Sequence, residues 1–171
     1  PARKEITMNQ PAKLSDLIEA LEFDSSMHIM YFDRQTGRVV SVDRDVMSGV
    51  EEGDEEQLQG LPDWQKEEVE IAQAVCDDNG ERFISAPDKF EFHEYRHMER
   101  FIETVENEKA AEALWRAIRG RGAFRYFKDT AERLGLLERW FRYRDEAMKE
   151  FVIVWAEANN VPFDDDLTRR S

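Results

Sequence analysis

The sequence predicts an α+β fold in which a short antiparallel β-hairpin or small sheet packs against five or more helices. Three observations carry that prediction. Two β-prone runs, His28–Asp33 and Val39–Val42, flank a turn that holds Gly37. The second half of the chain repeats apolar residues at the i, i+3, i+4, i+7 spacing of helices. Finally, 11 Phe, 4 Trp and 4 Tyr give a chain of 171 residues enough bulk for a core, which argues against wholesale disorder. The length fits one domain, residues 1–171.

The elements follow in order. Pro1 to Ala12 hold two prolines and no clean period, which predicts a loose arm or a short edge. Asp16 followed by Glu19 resembles a capping box, Leu17, Ile18 and Leu21 give the first helix an apolar side, and Asp24-Ser25-Ser26 stops it. The hairpin comes next. A hairpin alone is marginal, and Arg82-Phe83-Ile84-Ser85 is the best candidate for a third strand. Between them, Asp43 to Gln57 is the most acidic stretch. Glu51, Glu52, Asp54, Glu55 and Glu56 repel one another, which predicts an exposed linker or frayed helix end. It lacks the alternating oxygens and closing Glu of a calcium loop. Asp63 to Asp77 is helical, with Pro62 ahead of it, Val69, Ala72 and Cys76 on one side and Ile71 and Val75 beside them. Cys76 reads as a small core residue and Trp64 and Trp115 as core aromatics.

From Asp88 onward the pattern is helical. Met98, Phe101, Ile102 and Val105 form one stripe, and Ala111, Leu114, Trp115 and Ile118 a second, ending at Gly120. A third helix from about Gly122 puts Phe124, Phe127, Ala131 and Leu134 on one face. The last is expected from near Asp145 to Asn159, burying Phe151, Val154, Trp155 and Ala158, with a loose tail from Pro162 to Ser171.

Charge narrows the function. Lys plus Arg number 24 and Asp plus Glu 38, a formal net charge of -14. Such a chain is a poor default ligand for nucleic acid, where phosphate contacts need concentrated positive charge. No run approaches the roughly 18–20 apolar residues of a membrane span, no basic-then-apolar leader opens the sequence, and a single Cys excludes an internal disulfide framework. A cytoplasmic protein that does not enter the membrane is expected.

One segment reverses the overall charge. From Arg116 to Arg144 there are nine basic residues and three acidic ones (Asp129, Glu132, Glu138), a local balance of +6. It contains Gly120-Arg121-Gly122-Ala123-Phe124-Arg125-Tyr126-Phe127-Lys128-Asp129. With this box, the aromatic pair Trp140-Phe141 and the hairpin Tyr31-Phe32-Asp33, Thr36-Gly37, Val39-Val40, the chain resembles the bacterial uncharacterised protein family 0158 over roughly Leu14 to Asn159. The resemblance implies a cytosolic bacterial protein with a helical core, and it implies no activity.

In a helix from Gly122, Arg121, Arg125 and Lys128 fall at i, i+4, i+7, opposite Phe124 and Phe127 and close to the positive end of the helix dipole. Three uses compete. The cations pair with the acidic half of the same fold or of a twin subunit. Alternatively, Arg121, Arg125, Lys128, Trp140 and Arg142 form a protein-partner surface, since Arg mixed with large aromatics is the composition of interface anchors. The third use is an anion, phosphate or nucleic-acid site, which the box supports less because it lacks the glycine spacing of a Walker or dinucleotide loop.

His93-Glu94-Tyr95-Arg96-His97 matches the HExxH pattern, in which two His at i, i+4 hold zinc and the Glu polarises water. Arg100 stands where the extended motif needs Gly, Glu103 would be carried away from His97 along the helix, and Glu112 lies on the next helix. A surface pair beside the Met98–Phe101–Ile102 stripe is therefore expected, without metal or cofactor. No Ser-His-Asp or Cys-His arrangement is evident among three His. The favoured expectation is a non-catalytic regulatory or scaffolding protein acting through protein contacts or self-association. Its alternatives are an anion-binding module and an enzyme.

Overall fold

A computed structural model of the chain describes residues 10–23 and 26–167. The arm up to residue 9, the helix stop at Asp24-Ser25 and the tail from residue 168 lie outside the described residues. The chain divides into two compact units, one comprising the residues up to Asp88 and from Val152 onward, the other Lys89–Phe151.

The first unit is a small α+β assembly. Strands β1 (Ala12–Lys13), β2 (His28–Asp33), β3 (Arg38–Asp43), β4 (Phe83–Ser85) and β5 (Phe163–Asp164) alternate with helices α1 (Leu14–Glu22), α2 (Arg44–Glu52), α3 (Glu55–Gln59) and α4 (Asp63–Asp77). The expected hairpin is present, with Phe32 opposite Val39, and the weakly signalled third strand pairs antiparallel with β2, Phe32 opposite Ile84. The sheet order is β3-β2-β4. Gly37 makes the hairpin turn possible. Its φ of +71° is left-handed, and a Cβ there would stand 2.7 Å from the Pro11 carbonyl oxygen. Below the turn, the buried Asp33 carboxylate accepts both Nε and Nη2 of Arg82 at 2.9 Å, the Gln35 amide at 3.0 Å and the Thr36 hydroxyl at 3.1 Å. These bonds tie the turn to the start of β4. Val42, Val46, Met47 and Ala72 form the buried cluster of sheet, α2 and α4.

Several expectations for this unit need correction. The acidic stretch, expected as an exposed linker or frayed helix end, keeps its glutamates exposed but folds as two helices. Asp43 caps α2 by accepting from the amides of Asp45 and Val46 at 2.8 and 3.4 Å, and Gly53 closes it in the left-handed conformation. Val46 and Met47 face inward while Glu51 and Glu52 are exposed, so an amphipathic period outweighs the local repulsion. Trp64 is 74% exposed, because it stands in the first turn of α4 at the margin of the inner stripe. Cys76 is exposed as a residue, yet its Sγ lies 3.7 Å from Met47 Sδ. Burial, then the Glu51 and Asp77 carboxylates, push its thiol up, which disfavours the thiolate. At the limits of the described residues a short edge forms. Ala12 is buried and pairs in parallel with Phe163, its amide donating to the Pro162 carbonyl at 2.8 Å, and the Ser15 amide donates to Asp166 at 3.0 Å. Short polar contacts between residues far apart in sequence leave no periodic signal. The N-cap of α1 is Lys13, with no side-chain cap, so the expected box at Asp16 is already one turn inside the helix.

The second unit is helical: α5 (Lys89–Phe92), α6 (Glu94–Glu103), α7 (Glu108–Ala117), α8 (Ala123–Arg133) and α9 (Leu137–Ala158), whose residues from Val152 onward are assigned to the first unit. Met98, Phe101, Ile102, Leu114, Ile118, Phe127, Ala131 and Trp140 are its buried core. Phe101 and Trp140 meet edge to face at 5.4 Å, and Phe127 and Trp140 at 4.9 Å. The last helix therefore starts at Leu137, not near Asp145. Its buried positions are Trp140, Met148, Val152 and Ala156, while Val154 is 57% exposed. The inner stripe is rotated by about one residue from the expected one, because Trp140 sets the phase of the helix. Among the described residues, no helix is long and apolar enough to cross a membrane.

Candidate partner and anion surface

The basic box folds as a turn and a helix start. Gly120 and Gly122 have φ of +88° and +75°, and Gly122 is the N-cap of α8. A Cβ at Gly122 would meet Tyr126 Cε2 at 3.0 Å, so the ring of Tyr126 lies close against this glycine. Arg121 is exposed between the two glycines. On α8, Arg125 and Lys128 face solvent while Ala123, Phe127 and Ala131 face the core. Among the described residues, the one ion pair of this stretch is Arg125 Nε to Asp129 Oδ2 at 4.0 Å, with both side chains largely exposed, an arrangement that stabilises little.

Two aromatic positions exchange roles with the expectation. Phe124 is 48% exposed rather than part of the inner face, because the α8 stripe runs through Ala123, Phe127 and Ala131. Trp140, expected on the partner surface, is fully buried between Phe101, Phe127 and Tyr143, its Nε1 without a hydrogen-bond partner among the described residues. It leaves the surface set. Its neighbour Phe141 is exposed in its place, beside the exposed Arg142. Phe127 meets Trp140 across the α8–α9 pair, and Lys128 and Phe141-Arg142 directly follow those two contact residues in sequence. Two further cations of the segment serve inside the unit. Arg139 donates to the Thr104 carbonyl at 2.8 Å and stands 5.7 Å over the Phe101 ring, and Arg144 pairs with Glu94.

That last pair decides the geometry of the HExxH sequence. α6 begins after His93, which caps it in a left-handed conformation with φ of +52°, so the two His do not share one helix face. Glu94, where the motif places its base, is held by Arg144. His97 stacks on Phe92 at 4.3 Å, and burial, followed by the charge of Arg100, holds its imidazole below the usual histidine range. Among the described residues, no three His, Cys, Asp or Glu side chains converge as a metal cage.

A feature not singled out in the sequence lies between α7 and α8. A pocket of about 410 Å³ is lined by Arg116, Arg119, Tyr126, Thr130 and Arg133, with Ala113 and Ala117 beside them. Tyr126, Thr130 and Arg133 fall at i, i+4, i+7 on α8, and Arg116 and Arg119 at i, i+3 on α7 and the turn after it. That spacing was readable, but only the pairing of the two helices joins the two sets.

The uncharacterised protein family UPF0158 matches residues 9–169, and the chain belongs to it. It is similar to the UPF0158 protein PA5073 of Pseudomonas aeruginosa, 34% identical over 65 residues, which are 37% of this chain and 42% of that protein. The chain thus matches less than half the length of that relative. No solved structure matches the chain.

Proposed function

We propose that this chain is a non-catalytic cytoplasmic binding protein, regulatory or scaffolding in role, that recognises a protein partner through the basic surface of its second unit. Arg121, Arg125, Lys128 and Arg142 are its cations and Phe124 and Phe141 its apolar contacts. One observation carries the reading. Exposed cations stand beside exposed phenylalanines, and among the described residues Arg121, Lys128 and Arg142 have no ion-pair partner. Cations needed to hold a fold are normally paired, whereas unpaired Arg beside exposed Phe is the composition of interface anchors. Charge supports an acidic partner or a second copy of this chain. Residues 89–151 contain 14 basic and 13 acidic residues, a balance of +1, which leaves -15 for the rest of the chain.

The test is affinity capture at low and high salt, with and without nuclease, comparing the natural chain with the Arg121→Ala/Arg125→Ala/Lys128→Ala variant, its fold checked by circular dichroism. A stoichiometric protein that survives nuclease and disappears in the variant supports the reading. Capture of the same set by both chains removes it. Material lost to nuclease or falling steeply with salt moves the surface to the anion-binding alternative, since counterion release makes phosphate binding strongly salt-dependent.

A further inference from the structure

The pocket between α7 and α8 uses none of the residues of the proposed partner surface. Arg116 stands in the last turn of α7, Arg119 in the turn after it and Arg133 in the last turn of α8. A cation at a helix C-terminus complements the dipole, and that accounts for Arg116 and Arg133 each on its own helix. It does not account for three guanidinium groups lining one pocket with no acidic residue among the lining residues. Among the described residues none of the three has an ion-pair partner. Like charges gathered in a concave site repel, and an entering dianion relieves that repulsion.

The remaining lining chemistry narrows the ligand. Thr130 is one of two buried polar residues among the described ones, and it lines the pocket with Tyr126, so two hydroxyl-bearing side chains join the guanidinium groups. Planar guanidinium forks match the oxygens of carboxylate and phosphate bidentately, and three of them in one pocket suit the double charge of a phosphate monoester better than a single carboxylate. A volume of about 410 Å³ admits a small organic ligand or one modified side chain. A long polynucleotide would instead meet a chain of net charge -14.

We propose that the α7–α8 pocket is a phosphoryl-binding site, taking a phosphate monoester presented either on a small molecule or on a phosphorylated protein side chain. The proposal stands apart from the protein-partner reading and survives its failure.

Calorimetric titration of the full chain with inorganic phosphate, O-phosphoserine, a phosphoserine peptide and a short single-stranded DNA tests it. Phosphate and phosphoserine should bind at millimolar concentration or below. Arg116→Gln and Arg133→Gln should each weaken that binding about ten-fold, the equivalent of about 1.4 kcal/mol. Lys109→Gln removes the same charge outside the pocket and should leave it unchanged. Should a glutamine variant lose its fold, Arg116→Lys and Arg133→Lys keep the charge without the fork and should bind more weakly than the natural chain. Tighter binding of the peptide than of free phosphoserine assigns the side-chain source, and equal binding the small-molecule source. No heat with any phosphate at millimolar concentration, an equal loss in Lys109→Gln, or a preference for DNA over the phosphopeptide would overturn the proposal.

Discussion

At Asp33, a carboxylate is taken out of water at the base of a hairpin and given four donors in return. Burial pushes its carboxyl up, but the Arg82 guanidinium, the Gln35 amide and the Thr36 hydroxyl outweigh burial and hold it below the usual carboxylate range. A carboxyl depressed in the folded state adds stability above its unfolded pKa, and that stability is lost as pH falls through the folded value. Asp33→Ala should therefore destabilise the chain by about 2 kcal/mol near neutral pH, because Arg82 and two turn donors lose their acceptor. In urea unfolding, the gap to the natural chain should narrow as the solution is acidified below the usual Asp range. A gap that stays constant with pH would show that the charge of Asp33 contributes nothing. The paired glycines of the basic box give a second prediction. Gly120→Ala meets only the left-handed backbone penalty, about 1 kcal/mol, since nothing lies within 4 Å of its added Cβ. Gly122→Ala meets the same penalty and the Tyr126 ring, so its melting temperature should fall further. Equal losses would mean the ring moves aside freely.

Within α8, Phe124 and Phe127 are one turn apart and differ in what they touch. Phe127 is fully buried against Phe101 and Trp140, and Phe127→Ala should cost about 3–5 kcal/mol. Phe124→Ala should cost under about 1 kcal/mol while weakening partner capture, and chemical denaturation of the two variants checks the ordering. Asp43→Ala should cost about 1 kcal/mol by uncapping α2. These elements also show what the sequence makes legible. The hairpin and the Met98–Phe101–Ile102 stripe carry clean periods, the third strand only a weak signal, and the structure has all three where the pattern puts them. Where charge and period compete, the pattern misleads. The glutamates of α2 hide an amphipathic helix, and the arginines flanking Trp140 make a core residue look like a surface anchor. In adjacent aromatic pairs such as Trp140-Phe141, composition cannot say which ring turns inward. The core decides it, here through Phe101 and Phe127. The α7–α8 pocket was beyond the sequence for a related reason: its arginines are 14 positions apart between Arg119 and Arg133, and only helix pairing makes them neighbours.

For the whole chain, charge is divided unevenly, with -15 outside residues 89–151 and +1 within them. The basic box is the part of the second unit in which this balance turns outward. If Arg121, Arg125 and Lys128 serve a partner, the fold does not need them, and each replacement should fall within the roughly 0.5 kcal/mol typical of surface substitutions. If instead they hold the fold together through their charge, removing them leaves carboxylates uncompensated and unfolds it more readily. Equilibrium urea unfolding of the Arg121→Ala/Arg125→Ala/Lys128→Ala variant beside the natural chain separates the two. An unchanged slope and a total loss below about 1.5 kcal/mol is the result expected of a surface kept for binding. A loss of about 3 kcal/mol or more would show that the box is structural and that the proposed partner surface does not exist.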